Sequence, residues 1–306
     1  MKFSIVIPTF NEESDIRGTL NSLVLLDYPN YEILVVDDST DSTPRIVREY
    51  RKFGVKLFRP SIREGRCAAR NLGVLNSVGE VVVILNADVR LPEDFLRKIK
   101  QHYDNGADYV LVKSVVENLE DLFARYVEAV GVYDFYGSNP QSMDWTEGFS
   151  CRKDLAIQAG LFPTGFVVPL VAGEDKIFGE NLRSLNANKV IDLTIVCRHI
   201  APANLSEYWH IRKGRGEGSP QVRRFLDGWS FPKIFGWAFL RLMKNALYVA
   251  LLVPMLIVCF RYSQKSPRGI KDLLPFCWAW IIEKFAFSVG EFKEIKKIYL
   301  KENANT

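Results

Sequence analysis

The sequence predicts an α/β domain on a mostly parallel sheet, followed by apolar helices toward the C-terminus. Two short apolar runs, 31–36 and 81–85, are typical of strands buried on both faces, as in a parallel sheet. Up to about residue 115, such strands alternate with helical stripes, which indicates right-handed crossovers. With 306 residues, 48% of them apolar, the chain can bury one large core or two.

The elements follow in order along the chain. The predicted strands are 3–7, 32–36, 55–58, 81–85, 108–116 and 189–199, and the predicted helices are 12–26, 43–50, 66–77, 119–136, 155–160 and 176–185. Thr43 is expected to cap the second helix, with Pro44 at its first position. The N-terminal apolar run is too short for a signal peptide and is interpreted as the first strand.

Acidic residues follow two of the predicted strands. Asp37 and Asp38 come after the second strand, and Asn86 and Asp88 come after the fourth. Ligands of open α/β sheets bind at the carboxyl ends of the strands, so these side chains should share one rim. Carboxylates gathered in this way repel one another unless a cation or a ligand rich in N–H groups lies among them. A divalent metal carrying a phosphorylated substrate is therefore predicted.

The composition changes near residue 231. Segments 234–260 and 273–289 are apolar apart from a few charged or polar residues, and tryptophans lie near their ends. We interpret them as two or three membrane helices, with a pair of buried core helices as the alternative. Basic residues on both sides of the second segment leave the membrane topology open.

The charge and the cysteine spacing argue against a nucleic-acid-binding protein and against a zinc protein. The net charge of +4 is mild, and no basic tract suggests nucleic-acid binding. The five cysteines lack the C-x-x-C spacing of a zinc site, and a reducing compartment fits them best.

Several motifs occur in a fixed order. They lie at 4–12, 37–41, 65–73, 79–80, 86–88, 148–153, 160–162 and 173–175. In this order and spacing they resemble the family 2 glycosyltransferases of GT-A fold, over about residues 3–216. The resemblance implies a Rossmann-like catalytic domain at 1–216. We expect a linker or interfacial segment at 217–233, membrane-associated helices at 234–290 and a basic tail at 291–306.

The resemblance also implies roles for individual residues. Asp88 would bind Mn²⁺ or Mg²⁺, and Asp175 would be the general base. The expected nucleotide-sugar-binding residues are Pro8, Thr9, Glu12, Asp37, Asp38, Arg66, Asn86, Arg212 and Arg215. Asn86 departs from the family, which usually has aspartate there, and its amide would contact the sugar or ribose instead.

Each assignment has a structural alternative. The paired acids at 37–38 and 174–175 could cap helices, since such residues are good N-caps. Arg70 and Asn71 could be ordinary helix-surface residues. The cations of 210–216, expected to form a flexible phosphate-binding loop, could instead form a basic patch on a membrane surface. The aromatic residues of 119–136 could line an acceptor groove or pack the core.

The function implied by the resemblance is inverting transfer of a hexose from a nucleotide sugar to a lipid-linked acceptor. The acceptor would be dolichyl phosphate or a dolichol-linked glycan, at the cytoplasmic face of a membrane, with membrane lipids as partners. GDP-mannose is the first expectation for the donor. A UDP-glucose-dependent polysaccharide or glycolipid synthase is the alternative, and a catalytically silent membrane subunit is an alternative of another class. A nucleotidyltransferase is disfavoured because 8–13 contains no glycine-rich phosphate loop.

Overall fold

The computed structural model describes residues 1–60, 62–136 and 143–304. The chain forms two compact units, each assembled from three segments. The first comprises Met1–Val115, Met143–Thr164 and Glu174–Ile200, and the second comprises Val116–Ser142, Gly165–Gly173 and Ala201–Thr306.

A mixed sheet of eight strands in the described residues is the centre of the first unit. The strands are β1 (Phe3–Thr9), β2 (Tyr31–Asp37), β3 (Lys56–Phe58), β4 (Val81–Ile84), β5 (Val89–Arg90), β6 (Tyr109–Val116), β7 (Phe149–Arg152) and β8 (Lys189–His199). Their spatial order is β3-β2-β1-β4-β7-β6-β8-β5.

Half of this sheet is parallel, as the apolar runs predict. Strands β3, β2, β1 and β4 all pair in parallel. The other half is antiparallel, because β7 pairs antiparallel with both β4 and β6, and β5 pairs antiparallel with β8. Strands β5 and β7 were not predicted, since strands of two and four residues are too short to show a periodic pattern.

Eleven α-helices of the described residues complete the two units. They are α1 (Ile16–Val24), α2 (Thr43–Glu49), α3 (Arg66–Asn76), α4 (Phe95–Asp104), α5 (Leu122–Gly131), α6 (Lys153–Gln158), α7 (Glu174–Ser184), α8 (Leu205–Phe225), α9 (Phe231–Leu251), α10 (Val253–Ser263) and α11 (Leu273–Ala304). Most agree with the predicted helices, but α4 was missed. The N-cap of α2 is Ser42, one residue before the predicted Thr43.

In the first unit, α3 packs closely on β1. A Cβ atom at Gly73 would overlap the side chain of Val6, so glycine permits this close approach. Val6 is fully buried within the parallel half of the sheet. This packing holds the first two turns of α3, which carry Arg66 and Arg70, in a defined position.

The second unit is helical, and its α8 and α11 pack through glycines. A Cβ at Gly216 would overlap the backbone of Phe287, and one at Gly290 would overlap the backbone of Lys213. Phe123 and Tyr126 of α5 are buried in an aromatic cluster of this unit. For these two aromatics the core alternative is therefore correct.

Three boundaries differ from the predictions. The expected flexible loop at 210–216 lies inside α8, which also runs across the expected domain boundary at 216 and into the expected linker. The expected tail is helical, because α11 continues to Ala304, and residues 305–306 lie outside the described part of the chain. The apolar stretch 234–260 is interrupted at Leu252, whose φ is 58°, just before Pro254 in the first turn of α10.

Two helices of the described residues are long and apolar enough to cross a membrane. They are Phe231–Leu251 and Gly269–Ala304. In an apolar stretch of 18 residues in the first helix, 11% are buried, against 39% in such a stretch of the second helix. Helix α9 therefore leaves far more apolar surface uncovered.

Candidate active site

The carboxyl ends of β1 and β2 are joined through Asp37. Its Oδ1 accepts hydrogen bonds from the Thr9 hydroxyl at 2.8 Å and from the Ser39 N–H at 3.3 Å. Its Oδ2 has no hydrogen bond but lies 3.6 Å from Nε of Arg59. The N–H of Asp38 donates to the carbonyl of Thr9 at 3.1 Å. The acidic turn is therefore rigid before any ligand binds.

Helix capping does not explain these two aspartates. The N–H of Thr43, at the start of α2, donates to Asp41 Oδ1 at 2.9 Å, while Asp37 bonds to β1. Burial raises the pKa of Asp38 above its usual range, against the opposing charge of Arg63. Asp38 is thus a half-buried carboxylate beside the rim, and Pro8, also half-buried, precedes Thr9 on β1.

Asp88 follows β4 and has an unsatisfied oxygen. Its Oδ1 is buried and has no hydrogen-bond partner among the described residues. Burial, and then the charge of Asp15, raise the pKa of Asp88 to about 6. Glu12 lies within reach of the Asp88 charge. Burial, and then the charge of Asp88, raise the pKa of Glu12 to about 7. These acids repel one another in the absence of a cation.

Asn86 connects this region to a third carboxylate, Glu147. The Asn86 Nδ2 donates to both oxygens of Glu147, at 3.0 and 3.1 Å, and its Oδ1 accepts from Arg70 at 3.2 Å. Burial, and then the charge of Asp88, raise the pKa of Glu147 to about 7. We name Glu12, Asp88 and Glu147 the carboxylate cluster. Glu147 was not predicted as a site residue, although it directly precedes the motif at 148–153.

Arg70 and Glu174 form a buried ion pair. Both side chains are 2% exposed, and Arg70 Nη1 lies 2.9 Å from Glu174 Oε1. Arg66 lies 3.4 Å from the same oxygen. Burial alone would raise the pKa of Glu174, but Arg70 and then Arg66 lower it below its usual range. The rings of Trp145 and Phe162 lie about 5 Å from the Arg70 guanidinium, so Arg70 is not a helix-surface residue.

Asn71, the neighbour of Arg70, has a structural contact. Its side chain donates to the carbonyl of Phe162 at 2.8 Å and accepts from the N–H of Phe162 at 2.9 Å. This pair of bonds ties the segment after α6 to α3. Asn71 is therefore also more than a surface residue.

Asp175 lies in the first turn of α7, next to Glu174. It is half-buried, and its Oδ1 accepts from the N–H of Lys176 at 2.7 Å. Its charge acts on both Arg66 and Glu147, which puts it beside the carboxylate cluster. A carboxylate here can accept a proton and is also stabilised by the helix N-terminus.

Arg212 and Arg215 belong to the second unit, whereas all the residues above belong to the first. Both lie on α8, so the expectation of a flexible basic loop is wrong. Arg212 is 6% exposed, its guanidinium lies 4.9 Å from the Tyr208 ring centre, and its Nε has no hydrogen-bond partner. Arg215 is exposed.

Asp88 has the chemistry to bind a hard cation. Mg²⁺ and Mn²⁺ prefer oxygen ligands and are often bound by one or two carboxylates together with substrate phosphates. The unpartnered Oδ1 of Asp88 is such a ligand. Among the described residues, no group of three or more His, Cys, Asp or Glu side chains is placed to hold a metal ion. Phosphate oxygens would therefore have to complete the coordination.

Solved structures share this architecture. The mannosyltransferase PcManGT of Pyrobaculum calidifontis, in complex with GDP-Man and Mn²⁺, aligns with a TM-score of 0.62 at 20% identity, over 97% of this chain and 87% of that one. Residues 1–349 of Staphylococcus aureus TarS, in complex with UDP-GlcNAc, align with a TM-score of 0.55 at 20% identity, over 96% and 92%. The fold is GT-A.

The family follows from the sequence. The family model described as Glycosyl transferase family 2 matches residues 4–159, just over half of the chain. The protein belongs to glycosyltransferase family 2.

Curated relatives match over shorter segments. The poly(ribitol-phosphate) beta-N-acetylglucosaminyltransferase TarS of Staphylococcus aureus is 35% identical over 119 residues, which are 37% of this chain and 21% of TarS. The dolichol-phosphate mannosyltransferase of Pyrococcus furiosus is 33% identical over 114 residues, 36% of this chain and 32% of that protein. The chain thus spans about a fifth to a third of the length of these relatives.

Proposed function

We propose that this protein is an inverting, metal-dependent glycosyltransferase that moves a hexose from a nucleoside diphosphate sugar to a lipid-linked acceptor. One observation carries the proposal: Asp88 presents a buried, unpartnered carboxylate oxygen beside Glu12 and Glu147 at the end of a central strand. In a family 2 chain, such an oxygen suits a cation that accompanies the donor diphosphate.

The donor nucleotide is proposed to bind at the ends of β1 and β2. The bond between Thr9 and Asp37 fixes the backbone there, so Pro8, Thr9 and Asp38 can present rigid donors and acceptors to a base or ribose. The rigidity lowers the entropy lost on binding. Asp38 is our candidate for the direct contact, because Asp37 already bonds within the protein.

The diphosphate is proposed to lie against Asp88 and Arg66. A bound Mn²⁺ or Mg²⁺ would neutralise charge on the leaving diphosphate. Arg66 has a side chain 51% exposed and can donate charge-assisted hydrogen bonds to phosphate oxygens. Arg215 is exposed on α8, and the expectation that it binds the nucleotide sugar stays a prediction. The burial of Arg212 beside Tyr208 favours a role within the second unit instead.

Asp175 is the proposed general base. If the acceptor nucleophile is a hydroxyl, its proton must be removed as the glycosidic bond forms, and the Asp175 carboxylate can take it. If the nucleophile is a phosphate, it is already ionised and Asp175 has only to position the acceptor.

The proposed donor is GDP-mannose. In support, PcManGT was solved with GDP-Man, and the Pyrococcus furiosus relative is a dolichol-phosphate mannosyltransferase. A UDP-sugar is the second candidate for the donor, because TarS was solved with UDP-GlcNAc. With UDP-glucose as the donor, the protein would be a polysaccharide or glycolipid synthase.

A membrane is the proposed location of the acceptor. The apolar side chains of α9 are largely uncovered by protein, and lipid is the medium that would cover them. We propose that the catalytic unit lies on the cytoplasmic face, where the five free cysteines remain reduced. Protease digestion of sealed vesicles of known orientation tests that side.

The function is tested by a screen of nucleotide sugars with Mn²⁺ or Mg²⁺ and a polyprenyl phosphate. We expect transfer from one donor that is lost on chelation of the metal. The Glu49→Gln variant, which changes an exposed carboxylate on α2, serves as the control and should retain transfer. A folded full-length protein that turns over no donor with any metal would support the silent-subunit alternative instead.

A further inference from the structure

Glu147 is a carboxylate for which the proposed function gives no role. The orientation of Asn86 against it is determined by Arg70, since a guanidinium only donates hydrogen bonds. The Asn86 Oδ1 must therefore face Arg70, at 3.2 Å, and its Nδ2 faces both oxygens of Glu147. Both polar groups of Asn86 are thus occupied within the protein.

Arg70 is itself held firmly. It bonds to the buried Glu174 at 2.9 Å, and two aromatic rings lie against its guanidinium. A continuous chain of hydrogen bonds therefore runs from Glu174 through Arg70 and Asn86 to Glu147. It links α7, α3, the turn after β4 and the residue before β7.

The neutral amide at position 86 suits the carboxylate at position 147. An aspartate at 86 could still accept from Arg70, but its second oxygen would face the Glu147 carboxylate and repel it. An amide at 86 is the group that satisfies both neighbours. The two positions together therefore carry at most one negative charge, which lies on Glu147.

The backbone beside Glu147 is also fixed. Gly148 has φ of +81°, and a Cβ there would lie 2.7 Å from Cys197 Sγ and 3.0 Å from Val112 Cγ2. Only glycine fits this left-handed turn. The carboxylate of Glu147 is thus positioned from the backbone side as well as by Asn86.

The described contacts leave hydrogen-bond acceptor positions of the Glu147 carboxylate unused. Its two oxygens share one NH₂ group, although a carboxylate has about four acceptor positions. The negative charge that acts most strongly on it is Asp88, whose Oδ1 has no partner. A divalent cation bound by both side chains would remove their repulsion and use the unpartnered oxygen.

We propose that Glu147 is the second carboxylate of the divalent-cation site, together with Asp88, and that Asn86 is the residue that positions it. This inference rests on the proposed function only in taking the cation to be that of the transfer reaction.

The test measures Mn²⁺ binding to the full-length protein without any donor, by the electron paramagnetic resonance signal of free Mn²⁺. We expect Glu147→Gln to weaken Mn²⁺ binding at least about tenfold and Glu49→Gln to leave it unchanged. The exchange variant Asn86→Asp with Glu147→Gln restores one carboxylate next to one amide. It should recover part of the lost affinity and unfold at the wild-type temperature.

The outcomes separate the inference from the function. Mn²⁺ affinity of Glu147→Gln within about twofold of wild type would overturn the inference alone. A wild-type chain that binds no Mn²⁺ at millimolar concentration would overturn both the inference and the metal-dependent function. Mn²⁺ binding that depends on Glu147, without turnover of any nucleotide sugar, would support the inference and count against the function. If Glu147→Gln does not fold, the exchange variant is decisive: measurable Mn²⁺ binding supports the inference, and undetectable binding overturns it.

Discussion

At the scale of single residues, the acidic side chains of the candidate site fall into two groups. Glu174 is paired with Arg70 and Arg66, which lower its pKa, so it stays charged and holds the site together. The carboxylate cluster has raised pKa values, because the loss of water around these half-buried groups and the charge of neighbouring acids outweigh the charges of nearby arginines. Raised pKa values such as those of the carboxylate cluster are typical of ligand-binding and catalytic sites.

Replacement of Asp88 tests the metal assignment. Asp88→Ala should lower metal-dependent turnover by far more than tenfold, which is about 1.4 kcal/mol in the barrier. Its thermal unfolding temperature without metal should not fall, because the lost Oδ1 has no hydrogen bond and repulsion on Glu12 is relieved. Steady-state kinetics and calorimetry measure the two effects. Retention of a tenth or more of the activity would contradict the assignment.

Metal affinity should depend on pH. Protons and Mn²⁺ compete for the same oxygens, so the cation binds more tightly as the cluster loses its protons. With pKa values of about 6 for Asp88 and about 7 for Glu12 and Glu147, apparent affinity should rise between about pH 5 and 8 and then level off. Mn²⁺ titrations across this range measure the slope. Glu12→Gln should make it shallower, and a flat profile would show that these carboxyls do not control binding.

Asp175 separates two acceptor chemistries. A placed carboxylate contributes about 10²–10⁴-fold when a hydroxyl must lose its proton, whereas a phosphate nucleophile needs no base. Asp175→Asn should therefore nearly abolish transfer to a sugar hydroxyl but cost much less with a bare polyprenyl phosphate. Donor affinity, measured by calorimetry, should persist in either case. A collapse of donor affinity would assign Asp175 to the nucleotide or metal contacts instead.

At the scale of elements, the sequence predicts β2 and β4 well because continuous apolar runs dominate them. It therefore also predicts which acids lie at the rim. The antiparallel β7 has no such run, so Glu147 was missed along with it. The error at 210–216 has another cause: glycines within α8 suggested a loop, but tertiary packing against α11 uses Gly216 at the contact.

Gly148 tests the turn that leads into β7. Gly148→Ala should destabilise the fold by about 1–2 kcal/mol for its left-handed backbone, and by about 1–3 kcal/mol more for the overlap with Cys197. Gly160→Ala is the matched control: its φ of +86° is similar, but no atom lies within 4 Å of the added Cβ. Chemical denaturation of both variants measures the difference. Equal losses would mean that the contact with Cys197 does not constrain the turn.

At the scale of the whole molecule, the candidate site and the uncovered apolar helix surface belong to different units. The first unit carries the acidic site, and the second carries helices whose apolar side chains remain uncovered. The sequence predicted the first feature from the acids that follow two strands, and the second from the apolar composition of 234–260 and 273–289. The break at Leu252 depends on local backbone conformation and could not be predicted from the hydropathy pattern.

Lipid contact is expected along one stripe of α9. Leu240, Met243, Leu247 and Leu251 follow helical spacing and are 64%, 50%, 54% and 56% exposed. Because these side chains have few protein contacts to lose, the double variant Leu240→Lys with Leu247→Lys should fold normally in detergent. In a bilayer, a lysine at the centre of a helix costs about 2.5–3.5 kcal/mol, so the fraction that floats with liposomes should fall sharply.

The matched control places the same two charges elsewhere. Leu25 and Leu75 of the first unit are also exposed, at 62% and 54%, so Leu25→Lys with Leu75→Lys should float like the wild type. Liposome flotation of the three proteins, with thermal unfolding in detergent as the check on folding, completes the comparison. Equal flotation of all three would mean that α9 does not contact lipid, and the lipid-linked acceptor would lose its main physical support.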